Sequence, residues 1–459
     1  MRRILISSLV FLTACASQPP SQPPRVELPS AWKESAQRFA DDGRWWHIYQ
    51  DAELDKLVDE AIARNTDLVI AAARVDEARA LVADARGAQM PTVDARGGAQ
   101  RQQNSKSTAT FFPGIPTQYS DYRATLNVSW EVDIFGRLRA SAAAARADLQ
   151  ASEAARDGVR LALTAQVVKS YFALRAFDEQ LAMTNRNVNL RSDALGLQQR
   201  RYSAGVISEF ELRQLEAETA AVRAQLPPLE RARDQEEAAL AVLLGRSPKQ
   251  IFEAEVGRTA IFDQSLHAAV LPAGLPSELL LRRPDLVEAE RRLAAANARI
   301  EAARAEMFPS IVLTGAAGRE SAALSSLFTG PASLWLVAAA VTQPIFAGGR
   351  LEARTDAARA RERAALAQYQ KSIQNAFSEV RTALAGQTRS RESYEAESAR
   401  EQALAQSLRL AQLRYQNGIS SQLDVIDAER GLLAARIARI EALRSQRAAI
   451  ADLFRALGG

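Results

Sequence analysis

Cysteine and histidine, the side chains used most often for covalent and metal chemistry, are rare in this sequence. It contains one cysteine, Cys15, and two histidines, His47 and His267. The histidines are far apart and have no neighbouring cysteine or clustered carboxylates, so no metal site is predicted. No nucleophile elbow and no phosphate-binding glycine loop is visible. The sequence therefore predicts neither an enzyme nor a cofactor-binding protein, and Cys15 remains the one expected site of covalent chemistry.

The residues before Cys15 have the order of a bacterial export signal. Arg2 and Arg3 form a positive n-region, and residues 4–12 are a mainly apolar run that is too short to span a bilayer. The run ends in Leu12-Thr13-Ala14-Cys15, which resembles a lipobox. We therefore expect residues 1–14 to be a signal peptide and Cys15 to be lipidated. The alternative is an ordinary signal peptide with an incidental cysteine.

The next residues indicate a tether. Ala16 stands where an aspartate would argue for retention in the inner membrane, so the outer membrane is the expected destination. The Pro-rich stretch 18–24 favours an extended chain, so residues 15–31 are predicted to be a lipidated tether. With no second cysteine in the sequence, disulfides are excluded.

Composition favours long helices. Hydrophobic residues make up 47% of the 459 residues, mostly Ala and Leu, and aromatic residues only 6%. Abundant Ala, Leu, Glu, Arg and Gln have high helix propensity. The net charge of +4 is distributed as mixed-sign pairs without a basic block, so nucleic-acid binding is not expected.

A period-two pattern from Tyr122 to Ile134 predicts a strand with one apolar and one polar face. Its length suits a tilted membrane strand with an apolar outside and a polar lumen. Residues 92–101 are the predicted hairpin partner. A second hairpin, 310–321 with 334–346, alternates less cleanly and is predicted mainly from the repeat described next. No apolar run in the rest of the chain reaches transmembrane length either, so a membrane portion is expected to consist of strands.

Three landmarks recur in the same order, which predicts an internal duplication. They are the following matched pairs: Asn65-Thr66-Asp67-Leu68 to Met90-Pro91-Thr92 with Arg283-Pro284-Asp285-Leu286 to Phe308-Pro309-Ser310; Ile134-Phe135-Gly136-Arg137 with Ile345-Phe346-Ala347-Gly348-Gly349-Arg350; and Arg201-Tyr202-Ser203-Ala204-Gly205 with Arg414-Tyr415-Gln416-Asn417-Gly418.

The region after each hairpin lacks proline and predicts a long helix. A seven-residue repeat from Val167 to Tyr202 indicates a left-handed coiled coil whose seam also carries polar residues. A helix over 137–202 would be about 100 Å long. Gly205 and Gly418 then predict tight turns, so each half is expected to be a helical hairpin. Pro227-Pro228 should break the returning helix of the first half only.

The predicted organisation is mainly α with a membrane β-barrel portion. After the tether we expect an equatorial segment, a first repeat with its tip near 203–208, an equatorial linker and a second repeat with its tip near 416–421, at residues 32–64, 65–245, 246–283 and 284–459. Four strands cannot close a barrel, and open strand edges in lipid are costly. Copies must therefore associate: three would give twelve strands above a helical barrel, although counting alone leaves four open.

Several segments resemble the TolC-like outer-membrane efflux proteins, in particular the NodT-type lipoprotein branch of tripartite efflux systems. The most specific is Leu275-Pro276-Ser277-Glu278-Leu279-Leu280-Leu281-Arg282-Arg283-Pro284-Asp285-Leu286, and the others are Trp45-Trp46-His47-Ile48-Tyr49-Gln50-Asp51 and Gln343-Pro344-Ile345-Phe346. The resemblance covers nearly the whole mature chain. It implies a homotrimer in the outer membrane that extends into the periplasm, with a periplasmic adaptor (membrane fusion) protein and an inner-membrane pump of the resistance–nodulation–division type as partners.

The resemblance also implies sites at the turns. Adaptor hairpins are expected to dock at the tips, here Ala204, Gly205, Val206, Gly418, Ile419 and Ser420. The nearest candidates for a periplasmic gate are Asp424, Asp427 and Arg430, although Ser420 stands where the family often has an acidic residue. The two aspartates also suit a plain helix N-terminus.

The function expected is an exit duct for small molecules such as drugs or toxic organics. Two alternatives stay open: a duct for type I protein secretion, and a periplasmic coiled-coil scaffold without a pore. The strand at 122–134 argues against the scaffold, because a scaffold needs no lipid-facing surface.

Overall fold

The computed structural model describes residues 43–107, 116–253, 255–258 and 282–459. Predictions for Cys15, the tether and His267 fall outside these residues. A short 3-10 helix at Trp45–Tyr49 precedes nine α-helices and four strands within the described ranges. In chain order they are α1 Ala52–Arg64, α2 Thr66–Gly87, β1 Thr92–Gln103, β2 Gln118–Val132, α3 Arg137–Ser203, α4 Glu209–Arg223, α5 Leu226–Leu243, α6 Pro248–Glu253, α7 Pro284–Ala305, β3 Ser310–Ser321, β4 Ser333–Thr342, α8 Arg350–Gln416 and α9 Gln422–Leu457.

The chain divides into two compact units. The sheet unit contains Val75–Ser152 and Glu288–Gln370, and the helical unit contains the described parts of Glu27–Arg74, Glu153–Val287 and Lys371–Gly459. Helices α3 and α8, of 67 residues each, contribute to both units. Both coincide with the proline-free regions of the sequence, as expected for helices that no missing N–H interrupts.

The sheet unit contains all four strands in one antiparallel sheet of order β1-β2-β3-β4. The fold-class prediction of a mainly helical chain with four strands is therefore confirmed. The predicted last strand was too long, because β4 ends at Thr342 rather than Phe346. Pro344 explains this end, since proline has no N–H to donate to a strand ladder.

Strand register gives the sheet one apolar face. Trp130 lies opposite Leu313, which in turn lies opposite Ala339. The same face carries Val93, Leu126, Val128, Trp335, Val337 and Val341. All six are exposed, from Val128 at 40% to Trp335 at 80%. Soluble proteins rarely leave so continuous an apolar surface in water.

The opposite face of β1 and β2 is polar and has its own side-chain contacts. Arg96 donates to Asp94 at 2.6 Å, and Asn127 donates to the same carboxylate at 3.3 Å. Arg123 of β2 forms an ion pair with Glu320 of β3 at 2.8 Å. The strand predicted from the alternation at residues 122–134 is therefore present, with mainly apolar side chains on one face and polar side chains on the other.

The helical unit has a buried core around Trp46, Tyr171, Phe172 and Leu174, whose side chains are almost fully enclosed. Trp45 stacks on Phe454, with ring centroids 5.1 Å apart. The tryptophan pair is thus a packing element of this core.

Arg283, from the motif that carried the resemblance, holds the end of the chain. Its side chain is 7% exposed, pairs with Asp285 and Glu379, and donates to the carbonyl oxygen of Ala456 at 3.0 Å. Desolvation opposes the charge, but the two carboxylates prevail and the pKa of Arg283 is raised. The arginine therefore fixes the C-terminal turn of α9 to the start of α7.

Helix α4 ends at Arg223 and α5 begins at Leu226, next to Pro227-Pro228, whereas α9 runs unbroken from Gln422 to Leu457. The predicted difference between the two returning helices is confirmed.

No helix in the described ranges is both long enough and apolar enough to cross a membrane.

Candidate functional site

The two tips of the helical unit are turns of one type. After α3, the N–H of Gly205 donates to the carbonyl of Tyr202 and that of Val206 to the carbonyl of Arg201, both at 2.8 Å. This is a Schellman motif, which ends a helix with a left-handed residue, and Gly205 has φ +73°.

The turn after α8 repeats this geometry. Gly418 has φ +70°, and the N–H of Ile419 donates to the carbonyl of Arg414 at 2.8 Å. Val206 and Ile419 follow the glycines and are 60% and 68% exposed, and nearby Phe210 is 76% exposed. Both tips thus present apolar side chains on a polar helical hairpin.

The helix after each tip begins with a reciprocal cap. Ser208 donates its N–H to Glu211 at 2.8 Å and accepts the N–H of Glu211 at 3.3 Å. The N–H of Ser208 and its hydroxyl, which donates at 3.0 Å, both bond the Glu211 carboxylate and lower its pKa. At the second tip, Asp424 accepts from the N–H of Ser421 at 3.0 Å and from its hydroxyl at 3.3 Å. Asp424, one of the candidate gate residues, therefore caps α9.

The other two candidate gate residues form a pair. Arg430 lies 3.0 Å from Asp427 on α9 and 3.9 Å from Glu218 on α4. The Arg430 side chain is 66% exposed and that of Asp427 is 54% exposed. The contact of Arg430 with Glu218 joins the two helical hairpins, and water can reach it.

Glu218 also contacts a deeply buried arginine. Arg191 of α3 is 4% exposed, lies 3.3 Å from Glu218 and donates to Asn187 at 3.0 Å. Burial raises the pKa of Glu429, and Arg191 offsets part of that rise. Ionic groups from α3, α4 and α9 thus meet below the tips.

Two further contacts join the hairpins closer to the tips. Gln198 of α3 donates to Gln422 of α9 at 2.8 Å, and Arg201 lies 3.5 Å from the hydroxyl of Tyr415. Each contact joins residues more than 200 positions apart in sequence. Polar contacts therefore connect the two hairpins near the tips.

These polar contacts between the helices were not predicted from the sequence, although a signal was present. Thr184, Arg191 and Gln198 are each buried and are spaced seven residues apart. This is the period of the predicted coiled-coil seam, in a neighbouring phase. A seven-residue repeat of polar residues was the detectable sign.

His47, weighed as a metal ligand, lies 3.7 Å from Asp55. No group of three or more His, Cys, Asp or Glu side chains in the described part of the chain is arranged to hold a metal ion.

Comparison with known proteins gives a consistent result. The sequence profile described as "Outer membrane efflux protein" matches residues 57–246 and 275–459. The probable efflux pump outer membrane protein TtgC of Pseudomonas putida is 34% identical over 472 residues, which covers 100% of this chain and 96% of that protein. Outer membrane protein OprJ of Pseudomonas aeruginosa is 34% identical and covers 98% of this chain and 94% of its own length. The crystal structure of the CmeC outer membrane channel of Campylobacter jejuni superposes with a TM-score of 0.88 at 25% identity, covering 95% of this chain and 94% of that one.

Proposed function

The chain belongs to the outer membrane efflux protein family, and from this premise we propose that it forms the outer-membrane exit duct of a tripartite pump for small molecules. The family consists of efflux channels rather than enzymes, and we assign no catalytic step to this chain. The observation that carries the proposal is the sheet with one exposed apolar face, joined in the same chain to two helical hairpins. Drugs and toxic organics are the proposed cargo.

The proposed assembly is a homotrimer. The sheet has two open edges, β1 and β4, within the described residues. In hydrocarbon, each backbone N–H or C=O that is unpaired at a strand edge costs several kcal/mol, as does any buried polar group without a hydrogen-bond partner. Three copies would supply twelve strands and close the sheet into a barrel.

The tips are the proposed docking points for a periplasmic adaptor. Val206 and Ile419 offer exposed apolar contacts at positions that the Schellman turns hold in place. The energy for transport must come from partner proteins, proposed here to be the adaptor and an inner-membrane pump of the resistance–nodulation–division type.

Cys15 is the proposed lipid anchor in the outer membrane, because the residues around it resemble a lipobox. Mass spectrometry of the intact mature protein should show a chain that begins at Cys15 and carries acyl groups. An unmodified thiol at Cys15 would contradict the anchor.

Export should depend on the tips. Deleting the gene is expected to raise susceptibility to a panel of hydrophobic antibiotics and dyes several-fold, and the wild-type gene should restore resistance. A variant with Val206→Asp and Ile419→Asp should reach the outer membrane but fail to restore resistance, because charge opposes an apolar contact.

The matched control for the tips is Leu324→Asp, which changes a residue 62% exposed in the β3–β4 connection. It should restore resistance fully. No change in susceptibility after deletion would contradict the export function, and full rescue by the tip variant would contradict docking at the tips.

The gate can be tested by single-channel conductance in planar bilayers. Arg430→Ala removes the contact with Glu218 that joins α9 to α4, so the resting conductance should rise. Arg213→Ala is the control, because this side chain is also 66% exposed but pairs only with Glu209 and Glu216 of its own helix. Equal conductance in the two variants would show that Arg430 does not restrain the duct.

A further inference from the structure

A cavity of about 380 Å³ lies where the ends of β2, β3 and β4 meet the helices. It belongs to the sheet unit alone and is bordered by the starts of α3 and α8 and by the end of α7. Small-molecule sites in proteins commonly have volumes of about 300–1,000 Å³. The cavity is therefore large enough for a small organic molecule.

The cavity borders the polar face of the sheet. Glu131, which lines it, lies four residues after Asn127 of that face, and side chains of a strand alternate with period two. The ladder partner of Glu131 on β3 is Val312, two residues from Ser310, and Ser310 in turn faces Thr342. Ser310 and Thr342 also line the cavity. In the proposed duct this face is the lumenal one, so the cavity is a recess in the wall of the duct.

One wall of the cavity is aromatic. Phe135 follows β2 and Phe308 precedes β3, and their rings stack with centroids 5.1 Å apart and planes 11° apart. Both line the cavity and are 38% and 37% exposed. The stacked rings thus offer an apolar surface to a molecule in the cavity.

The charged side chains around the cavity leave one cation over. The three acidic groups that line it are each paired with an arginine: Glu131 with Arg137, Glu306 with Arg354, and Asp133 with Arg139. Arg350, the first residue of α8, also lines the cavity, is exposed, and forms no ion pair with any residue that the structure describes. The uncompensated charge at the cavity is therefore positive.

We propose that this cavity binds an amphiphilic organic anion, with Arg350 at its carboxylate or sulfonate group and the rings of Phe135 and Phe308 against its apolar body. The proposal rests on the proposed duct and names a class of cargo that the duct wall holds. A guanidinium can donate two parallel hydrogen bonds to such an anion, and hydrogen bonds between charged groups are the strong ones. A cationic molecule would instead meet a like charge, so the cavity discriminates by the sign of the charge.

Equilibrium dialysis of the detergent-extracted protein, with the same detergent in both chambers, measures binding of 2-naphthalenesulfonate. We expect saturable binding of one molecule per chain. Methanesulfonate, which lacks the rings, and 2-naphthylmethylammonium, which carries the opposite charge, should each bind about tenfold more weakly or worse. Equal binding of the three probes would overturn the proposal.

The arginine is tested by substitution. Arg350→Gln should weaken binding of 2-naphthalenesulfonate about tenfold or more, because a charged hydrogen bond is lost, and Arg350→Lys should recover part of the loss. Arg361→Gln is the matched control, since Arg361 is also an exposed arginine of α8 without an ion pair in the described ranges, but it does not line the cavity. Equal affinity of the two glutamine variants would overturn the role of Arg350.

The rings have their own test. Phe308→Leu should weaken binding of 2-naphthalenesulfonate several-fold, because it removes the aromatic face from the cavity. Phe328→Leu, which changes a ring 74% exposed in the β3–β4 connection, should leave the affinity unchanged. Equal affinity of the two leucine variants would overturn the contact with the rings.

Resistance assays separate the cavity from the duct. In the deletion strain, Arg350→Gln should restore resistance to the cationic dye ethidium as the wild-type gene does, because a cation does not use this arginine. Full resistance together with wild-type affinity of this variant for 2-naphthalenesulfonate would overturn the cavity site and leave the duct. Failure of the variant to restore resistance would show that Arg350 supports the duct itself and would overturn its assignment as an anion contact. Unchanged susceptibility after deletion of the gene would overturn the duct, whatever the dialysis shows.

Discussion

Replacing Asp51 with alanine is expected to lower the free energy of unfolding by about 3–5 kcal/mol, the usual cost of breaking a buried ion pair. Its carboxylate is 8% exposed and lies 2.9 Å from Arg175, which is 5% exposed. It accepts the hydroxyl of Tyr171 at 2.7 Å and the N–H groups of Glu53 and Leu54 at the start of α1. The substitution therefore removes a helix cap and the charge that neutralises a buried guanidinium.

Denaturant titration of the detergent-extracted protein, followed by far-UV circular dichroism, measures this effect. Asp452→Ala is the control, because Asp452 pairs with Lys169 at 3.0 Å but is 37% exposed, and such pairs contribute about 0–1 kcal/mol. Combining Asp51→Ala with Arg175→Met should recover part of the loss, since the buried charge is then removed as well. Equal stability of the Asp51 and Asp452 variants would contradict the role assigned to the buried pair.

Gly245→Ala is expected to be the second severe change, at about 2–5 kcal/mol from left-handed strain and overpacking together. Gly245 follows α5 with φ +68°, and an added Cβ would collide with the carbonyl oxygen of Arg64. The neighbouring Asn65 is fixed, because it donates to the carbonyl of Leu243 at 2.9 Å and accepts the N–H of Asp67 at 2.8 Å. The corner between α1 and α2 therefore cannot move away cheaply.

Gly205→Ala separates the two causes. Gly205 has φ +73° but no heavy atom within 4 Å of an added Cβ, so only the backbone strain of about 1–2 kcal/mol remains. The same denaturant titration should rank Gly245→Ala well below Gly205→Ala in stability. Equal free energies of unfolding for the two variants would show that the carbonyl of Arg64 does not exclude a side chain at position 245.

Much of the fold was predictable because its signals are local. The alternation from Tyr122 to Ile134 predicted a two-faced strand, and the absence of proline predicted the helices α3 and α8. Gly205 and Gly418 predicted the turns, since the left-handed conformation that each adopts favours glycine. The end of β4 was predicted wrongly because the repeat was given more weight than Pro344.

The candidate site was harder to predict, because its contacts join distant parts of the chain. Arg191 meets Glu218 across a helical hairpin, and Asp51 meets Arg175 across 124 positions. The charge of such residues suggests a solvated surface, and only the fold shows that they are buried. The roles of Asp424, Asp427 and Arg430 in a gate remain predictions.

The rings of Phe135, after β2, and Phe308, before β3, stack with their centroids 5.1 Å apart, so the two hairpins of one chain are already in contact. In the proposed trimer six hairpins meet at six seams, and in each chain one seam is already closed by a covalent connection. A chain carrying a single repeat would need six separate molecules to meet, each losing translational and rotational freedom. Joining six molecules loses five sets of this freedom and joining three loses two, so duplication lowers the cost of assembly and raises the local concentration of the joined partners. Fusion of the two hairpins thus converts a six-body assembly into a three-body one.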